Sequence, residues 1–277
     1  MRVVTWNVQG RAGQWEQRHD AIATTLTDLS ADVVMLQESW VEPNGQTQAA
    51  VLADRLGLSS LTAAELAGFD RYPAATYWVV NAILTRWPCR TIRAIPLLDE
   101  HRNSTWRHVL IAAVDRPDAE GGAFLVAGTH LEHGLDRSPT RTAQLHHLVS
   151  ELADLLGGSD RWSTQLPAIV GGDFNAVPWS EEMRRATGAA TPYVPGFVLV
   201  DAWDACGRTE RGDTWSSSNS LVPRRAVHPN RRLDYITTTF PRQRSRGSFQ
   251  ACDLAGIAAV DGVQPSDHYA VVAEVDL

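Results

Sequence analysis

Lysine is absent from this sequence of 277 residues, so all 25 basic side chains are arginines. We attribute the bias to codon usage in a GC-rich genome and give it no functional weight. Long hydrophobic runs are absent as well, which excludes a transmembrane helix, because such a helix needs about 18 or more consecutive apolar residues. The N-terminal segment MRVVTWNVQG lacks a long apolar stretch, so we expect no signal peptide.

Cysteine is scarce. The three cysteines, Cys89, Cys206 and Cys252, are odd in number and widely spaced. They form neither a metal-binding pattern nor a disulfide framework, and this suits a reducing compartment. We therefore expect a cytoplasmic protein.

An excess of positive charge is also missing. The formal net charge is −7 and the isoelectric point is about 5.7, which argues against a protein that coats nucleic acid. One segment departs from this average, because residues 222–246 contain seven arginines and a single acid, Asp234. We call this segment the arginine strip.

Short apolar runs rich in β-branched residues predict strands along the whole chain, near residues 2–7, 33–37, 78–84, 109–115, 124–130, 168–172, 198–203, 232–237 and 270–275. Apolar spacing predicts helices over residues 14–29, 46–56, 139–156 and 180–187. Segments 186–197 and 216–231 are rich in turn-forming residues and are predicted to be surface loops. Because strands and helices are mixed without a linker or repeat, we expect one α/β domain over residues 1–277, with two sheets packed face to face.

The segment IVGGDFNAVP, residues 169–178, places an acid and an amide at the end of a predicted buried strand. Side chains alternate along a strand, so Asp173 and Asn175 point to one side and Phe174 to the other. An Asp/Asn turn before Pro178 would explain the same letters. The ends of central strands are also where folds place functional side chains.

Polar side chains mark the ends of the other predicted strands too, and they are Asn7, Glu38, His130, Asp234, Asp267 and His268. Carboxylate and amide oxygens are the ligands that Mg²⁺ prefers. A histidine beside a carboxylate is the usual general base. The set therefore predicts hydrolysis of a phosphate ester by a water molecule that a hard cation helps to activate.

The ordered motifs TWN, LQE, NAILTR, GTH, GDFNAVP, RRLDYI and SDH resemble those of the endonuclease/exonuclease/phosphatase superfamily, the deoxyribonuclease I-like metal-dependent phosphoesterases. The resemblance spans residues 5–268. It implies an α/β fold of the four-layer α/β sandwich type, in which helices flank two packed mixed β-sheets. It also implies Mg²⁺ as the cofactor, for which Mn²⁺ can substitute.

Carried over residue by residue, the resemblance implies that Glu38 is the main metal ligand. Asn7 would lie beside it as a ligand or an orienting group, and Asp267 would complete the metal environment. Asp173 would position or deprotonate the attacking water, and Asn175 would bind the scissile phosphate.

The same resemblance implies that His268 contacts the phosphate and pairs with Asp234, and it leaves open which of Asp173 and His268 is the general base. His130 matches the deoxyribonuclease and sphingomyelinase branches, although the sequence offers no evident carboxylate partner for it. Asn81 and Arg107 are further candidates for phosphate contact, and Val80 stands where relatives often have glycine.

The rim of the predicted site falls on loops. The segment VPRRAVHPNRR leads directly into the strand that carries Asp234, so we expect Arg224 and Arg225 to bind substrate there. Trp179 and Trp215 also follow or lie in loops near predicted site strands and are candidates for the same rim.

Three functions remain after this reading. The first is a Mg²⁺-dependent hydrolase of a small or mixed phosphate ester, which the acidic surface favours; we expect it to be a monomer. The alternative is a sequence-nonspecific DNA endonuclease, for which nucleic acid is the substrate. A catalytically silent binding module is the remote alternative, because every central residue is present.

Overall fold

The computed structural model describes residues 1–68, 75–117, 122–244 and 246–277. The strands in these ranges are β1 (Arg2–Asn7), β2 (Val33–Val41), β3 (Ser59–Thr62), β4 (Trp78–Thr85), β5 (Cys89–Leu98), β6 (Ser104–Val114), β7 (Phe124–His130), β8 (Ile169–Asp173), β9 (Val198–Asp201), β10 (Trp215–Ser216), β11 (Asn230–Arg231), β12 (Asp234–Phe240), β13 (Ser248–Ala255) and β14 (Ala270–Asp276). The α-helices are α1 (Trp15–Leu29), α2 (Gln48–Leu56), α3 (Ser138–Leu155), α4 (Glu181–Ala186) and α5 (Ala202–Ala205). No helix in the described ranges is long and apolar enough to cross a membrane.

The long strands form two mixed sheets, each with six strands in the described part of the chain. Sheet A has the order β13-β14-β1-β2-β4-β3, and sheet B has the order β5-β6-β7-β8-β12-β9. The pairs β1/β2 and β7/β8 are parallel, whereas β1/β14 and β8/β12 are antiparallel. The short strands β10 and β11 form a separate ribbon.

The core consists of three apolar layers, because both faces of each sheet are covered. Val3 and Met35 of sheet A and Ile169 of sheet B belong to the cluster between the sheets. Val4 faces the other way and packs with Leu26 of α1, as side-chain alternation requires. A third cluster joins sheet B to α3 and α4. The predicted four-layer α/β sandwich, with two mixed sheets flanked by helices, is confirmed.

The two glycines of the IVGGDFN segment bring the strands and the sheets close together. A Cβ on Gly172 would lie 1.9 Å from the carbonyl oxygen of Thr129 in the neighbouring strand β7. A Cβ on Gly171 would lie 2.4 Å from Cε of Met35 in the opposite sheet. Side chains at these positions would therefore separate the strands that carry the polar residues.

Several strand predictions were incomplete. The predicted strand 198–203 ends at Asp201, and helix α5 begins at Ala202. Strands β3, β5 and β13 were not predicted, since each lies at or beside a sheet edge and has a mixed pattern of exposed and partly buried residues. The predicted loop 216–231 contains most of the β10–β11 ribbon.

Candidate active site

Three site residues are direct neighbours across sheet B. His130 at the end of β7 is in register with Asp173 at the end of β8. Asp173 is in turn in register with Asp234 at the start of β12. Because residues opposite one another on adjacent strands project to the same face, one imidazole and two carboxylates meet at this end of the sheet. Phe174 is fully buried, as the alternation around Asp173 predicts.

Sheet A supplies the next two residues from its parallel pair β1/β2. Asn7 at the end of β1 is in register with Gln37 of β2. Glu38 follows at a break in the pairing of β2 with β4, between Leu36 and Ser39, and its φ is +56°. A bulge of this kind redirects a side chain, and it places Glu38 Oε1 3.3 Å from Asn7 Nδ2.

Asp267 and His268 come from the segment that leads into β14. The hydroxyl of Ser266 donates to the carbonyl oxygen of Asn7 at 2.6 Å, and the backbone N–H of His268 donates to that hydroxyl at 3.3 Å. The indole N–H of Trp6 donates to the carbonyl oxygen of His268 at 2.9 Å. These bonds tie the SDH segment to the end of β1, so the last motif in the sequence lies beside the first.

Asp173 is the centre of the hydrogen-bond network. Its Oδ2 accepts from Asn7 Nδ2 at 3.1 Å and lies 3.3 Å from His130 Nε2 and 3.8 Å from His268 Nε2. Its Oδ1 accepts from the backbone N–H of Asn175 at 2.9 Å. The carboxylate partner of His130, which the sequence did not reveal, is therefore Asp173.

His268 and Asp234 form a buried pair. His268 Nδ1 lies 2.8 Å from Asp234 Oδ2, and both side chains are almost inaccessible to solvent. Burial alone would lower the pKa of His268, but the carboxylates of Asp234 and Asp173 outweigh it and raise the pKa well above its ordinary value. Since Nδ1 is engaged by Asp234, Nε2 is the atom that His268 can offer to a substrate.

The pKa values of Asp173 and His130 are lowered, in contrast to that of His268. Burial raises the pKa of Asp173, but the charges of His268 and His130 and hydrogen bonds from His130 and Asn7 outweigh it, so the pKa lies below its usual range. Burial lowers the pKa of His130, and the charge of Arg107 adds to this effect. The cluster thus combines a carboxylate and an imidazole whose pKa values are lowered with an imidazole, that of His268, whose pKa is raised.

Two sets of side chains could bind a metal ion. Burial raises the pKa of Asp267; the charge of His268 opposes this shift, and the carboxylate of Glu38 adds to it. A divalent cation between Glu38 and Asp267 would relieve this repulsion, and carboxylate oxygens are suitable ligands. Asn7 presents its amide nitrogen to Glu38, while its oxygen accepts from the backbone of Gln9 at 3.0 Å, which supports an orienting role for Asn7.

The tightest set of possible ligands in the described ranges is Asp173, Asp234 and His268, whose ligand atoms all lie within 4.8 Å of one another. His268 Nδ1 and Asp234 Oδ2 are already bonded to each other at 2.8 Å. Mg²⁺ prefers oxygen ligands, whereas this set includes an imidazole. The residues Glu38 and Asp267 therefore fit a hard cation better.

A cavity of about 320 Å³ is lined by Asp173 and His268 of this cluster, whereas Asp234 lies behind His268 and outside the lining. Its lining includes eight of the predicted site residues, namely Asn7, Glu38, Arg107, His130, Asp173, Asn175, Asp267 and His268. A larger groove of about 1120 Å³ shares Glu38, Trp106 and Arg107 with the cavity. Substrate can therefore extend beyond the catalytic cluster on the Glu38 side.

Arg107 is suited to phosphate contact, whereas Asn81 is not exposed to the cavity. The guanidinium of Arg107 stacks on Trp106 at 3.9 Å, and its Nη2 lies 3.2 Å from His133 Nδ1. Its Nε and Nη1 are buried without a hydrogen-bond partner among the described residues. Asn81 is buried, and its side-chain amide donates to the carbonyl oxygen of His108 at 2.7 Å.

The rim differs from the sequence prediction. Arg224 and Arg225 are exposed, and neither is among the described residues that line the cavity. Trp179 is also exposed and outside the lining. Arg231 lines the cavity in their place, together with Trp215. The sequence placed Arg231 in the arginine strip but gave no sign that it differs from its neighbours, because only the β10–β11 pairing brings it to the site.

Buried residues that the sequence did not identify as functional position the catalytic groups. Arg18 of α1 donates to the carbonyl oxygens of Val8, at 2.9 Å, and Pro265, at 3.0 Å, and so joins the loop after Asn7 to the segment before Asp267. The Thr214 hydroxyl accepts from the backbone N–H of Asp234 at 3.2 Å. A polar residue on an apolar helix face was the available signal for Arg18.

Arg141 and Arg232 hold neighbouring segments together through buried ion pairs. Arg141 Nε donates to Glu182 at 2.6 Å, and its Nη1 donates to the carbonyl oxygen of Gly134 at 2.7 Å. Arg232 forms ion pairs with Asp201 at 2.5 Å and Asp204 at 3.2 Å. Both arginines therefore stabilise loops and strands around the site.

Two known proteins are similar to this chain in sequence. Protein angel homolog 2 of Danio rerio is 27% identical over 179 residues, which are 61% of this chain and 29% of that protein. Protein angel of Drosophila melanogaster is 22% identical over 217 residues, which are 72% of this chain and 56% of that protein. The chain therefore spans less than two thirds of either relative.

The fold is similar to that of D. rerio TDP2, whose crystal structure is a complex with a single-strand DNA product. The TM-score is 0.72 and the identity 19%, and the match covers 99% of this chain and 97% of that chain. Residues 4–268 match the model of the Endonuclease/Exonuclease/phosphatase family, and the chain therefore belongs to this family, whose members are hydrolases that act on phosphate esters.

Proposed function

We propose that the protein is a Mg²⁺-dependent hydrolase that cleaves a phosphate ester by in-line attack of water, with residues 1–277 acting as one catalytic domain. The observation that carries the proposal is the position of Asp173. Its carboxylate lines the cavity and lies within 4 Å of two histidines and Asn7. A water molecule bound to Asp173 would therefore face a phosphate that the surrounding donors contact.

Asp173 and His268 take different roles in this proposal. Asp173 Oδ2 orients the attacking water and accepts its proton as the new bond between oxygen and phosphorus forms. The bond from phosphorus to the leaving oxygen breaks on the opposite side. His268 donates from Nε2 to a phosphate oxygen, because Asp234 holds its Nδ1 at 2.8 Å. This assignment makes Asp173 the base and gives His268 the charge-stabilising role.

The remaining residues bind and orient. Asn175, whose backbone N–H is bonded to Asp173, and His130 contact the scissile phosphate from sheet B. Arg107 binds the same phosphate, since its Nε and Nη1 have no hydrogen-bond partner among the described residues. Glu38 and Asp267 hold the Mg²⁺, with Asn7 orienting Glu38, and the ion when bound polarises a phosphoryl oxygen.

The substrate that we favour is a small or mixed phosphate ester. Arg224 and Arg225, which a long duplex would need at the rim, lie outside the cavity lining, and the net charge is −7. A sequence-nonspecific DNA endonuclease is the second candidate. It is favoured by the similarity of the fold to TDP2, which was crystallised with a single-strand DNA product.

The reaction class is tested by incubating the protein with bis-p-nitrophenyl phosphate, plasmid DNA, sphingomyelin and inositol phosphates, each with Mg²⁺ and with EDTA. We expect hydrolysis of at least one phosphate ester that Mg²⁺ supports and EDTA abolishes. The absence of turnover on the whole panel with both Mg²⁺ and Mn²⁺ would favour the silent binding module instead.

Salt dependence separates the two substrate classes. For a DNA duplex, the logarithm of the binding constant falls linearly with log[salt], with a slope of about −0.9 for each phosphate that the protein neutralises. If DNA is the substrate, replacing Arg224 and Arg225 by Ala should flatten this slope by up to about two units. A small ester should show little change. Efficient plasmid nicking with a steep, arginine-dependent slope would replace our first choice by the endonuclease.

We also propose a monomer in the cytoplasm. Cys89, Cys206 and Cys252 are free thiols in the structure, as a reducing compartment would keep them. Light scattering of the purified protein tests the oligomeric state, and a mass of about twice that of the chain, 30.4 kDa, would contradict it.

A further inference from the structure

The β10–β11 ribbon brings an arginine and a tryptophan to the cavity as a pair. Trp215 of β10 is in register with Arg231 of β11, and both residues line the cavity that contains Asp173 and His268. Directly opposed residues of an antiparallel pair lie on one face with their Cβ atoms about 5 Å apart. One ligand group can therefore contact both side chains.

Arg231 differs from its neighbour Arg232 in its ion pairs and its position. Arg232 is paired through its Nη atoms with Asp201 and Asp204, and it does not line the cavity. Its Nε is buried without a hydrogen-bond partner in the described part of the chain, and so are Arg231 Nε and Trp215 Nε1, whose side chains do line the cavity. Buried N–H donors without an acceptor are costly. An anion bound between these two side chains would satisfy them.

The place of Arg231 differs from that of Arg107. The strand order β6-β7-β8-β12 puts Arg107, in β6, on one side of His130 and Asp173. Arg231 lies on the other side, since only two residues separate it from the start of β12. Neighbouring strands are about 4.8 Å apart, so the two arginines flank the scissile phosphate rather than share it. Arg231 is therefore available to a different group of the substrate.

We propose that Arg231 and Trp215 form a subsite for a second anionic group that lies next to the scissile phosphate. This inference rests on the proposed function and narrows its substrate class to phosphate esters that carry another phosphate close by. Two kinds of compound share this chemistry. In a nucleic-acid strand the two phosphates are separated by a nucleoside, and in an organic diphosphate they share an oxygen.

Binding of three nucleotides by isothermal calorimetry in the presence of Ca²⁺ tests the subsite. Thymidine 5′-phosphate has one phosphate, thymidine 3′,5′-bisphosphate has two across the nucleoside, and thymidine 5′-diphosphate has two joined directly. A hydrogen bond to a charged group changes affinity roughly ten- to a hundred-fold. We expect the wild type to prefer one of the two-phosphate ligands over the monophosphate by this factor, and the preferred ligand identifies the source.

Variants of Arg231 test whether this residue causes the preference for a two-phosphate ligand. Arg231→Gln should remove it while the affinity for thymidine 5′-phosphate stays as in the wild type, which also shows that the variant is folded. Arg231→Lys should keep part of it. Arg90→Gln, an exposed arginine of β5, should keep all of it.

Three results would overturn the inference: equal affinities of the wild type for all three ligands, binding of none of them, or an equal loss for all three in both Arg231 variants. The proposed function is judged separately, by Mg²⁺-dependent hydrolysis of at least one phosphate ester of the panel by the wild type. Hydrolysis without a two-phosphate preference would reject the subsite alone. A preference without hydrolysis would reject the catalytic function alone.

Discussion

Replacing Asp234 by Asn tests the pair that orients His268. The Asp234 side chain is fully buried, and its Oδ2 lies 2.8 Å from His268 Nδ1. The asparagine side chain has the same shape, so the substitution removes the negative charge but preserves the packing. A hydrogen bond to a charged group contributes about 1.5–3 kcal/mol. At 1.36 kcal/mol per unit, its loss should lower the pKa of His268 by about one to two units.

The direction of the pH effect follows from the sign of the shift. The pKa of His268 is raised in the folded protein, so its contribution to stability is complete below the unfolded value of about 6.5 and is lost as pH rises through the folded value. In Asp234→Asn this contribution should be smaller, and its loss should be complete at a lower pH. An NMR titration of the metal-free protein, following the His268 ring, measures the change directly.

The catalytic effect of Asp234→Asn should be large. A positioned acid or base contributes roughly 10²–10⁴-fold, and we expect kcat for the best substrate of the panel to fall by that factor. Asp201→Asn is the matched control. Asp201 is also a buried aspartate paired with a cation, Arg232, at 2.5 Å, but this partner, unlike His268, does not line the cavity.

The control should lose stability and keep its kcat. Breaking a buried pair costs about 3–5 kcal/mol, which thermal unfolding of Asp201→Asn would detect. If Asp234→Asn kept more than about a tenth of the wild-type kcat, or if the titration of His268 were unchanged, the pair would not be part of the mechanism. An equal fall of kcat in both variants would point to general loss of structure.

Three further substitutions test other parts of the site. Glu38→Gln should weaken Mg²⁺ binding in calorimetry, because an amide is a poorer ligand than a carboxylate. The control Glu65→Gln, in the larger groove, should bind Mg²⁺ as the wild type does. Unchanged Mg²⁺ affinity of Glu38→Gln would show that Glu38 is not a metal ligand. Asp173→Ala and His268→Ala should each lower kcat by roughly 10²–10⁴-fold. The reduction in the double variant should be far smaller than the product of the two single reductions, since the two residues act as one unit. Full additivity would show that they serve separate steps. Arg141→Met should lower the free energy of unfolding, measured in urea, by about 3–5 kcal/mol. The reason is that it leaves the buried carboxylate of Glu182, 2.6 Å from Arg141 in the wild type, without its partner. A change below about 1 kcal/mol would mean that water solvates this carboxylate.

The sequence could predict much of the fold because hydrophobic periodicity is local. Helices α1, α2, α3 and α4 begin and end within two residues of the predicted bounds. The alternation in DFN correctly separated Asp173 from the core residue Phe174. The family motifs likewise named seven residues that the structure brings into one cavity, and Arg107 was a further candidate that lines it.

Local sequence patterns could not predict other features of the site. Glu38 reaches Asn7 through a bulge with a positive φ, and a strand pattern does not reveal where pairing breaks. The partner of His130 is Asp173, which depends on β7 and β8 being parallel neighbours. Strand order and register result from packing between residues far apart in sequence, so no single segment encodes them.

The arginine strip shows this division most clearly. Its composition follows from the sequence alone, and its seven arginines look alike there. In the structure Arg224 and Arg225 are exposed, Arg232 is buried in ion pairs, and Arg231 lines the cavity. The sequence determined which charges are present. Only the pairing of β10 with β11 and the burial of Asp201 decided which arginine is neutralised and which remains available to an anion, because both depend on residues brought together by the fold.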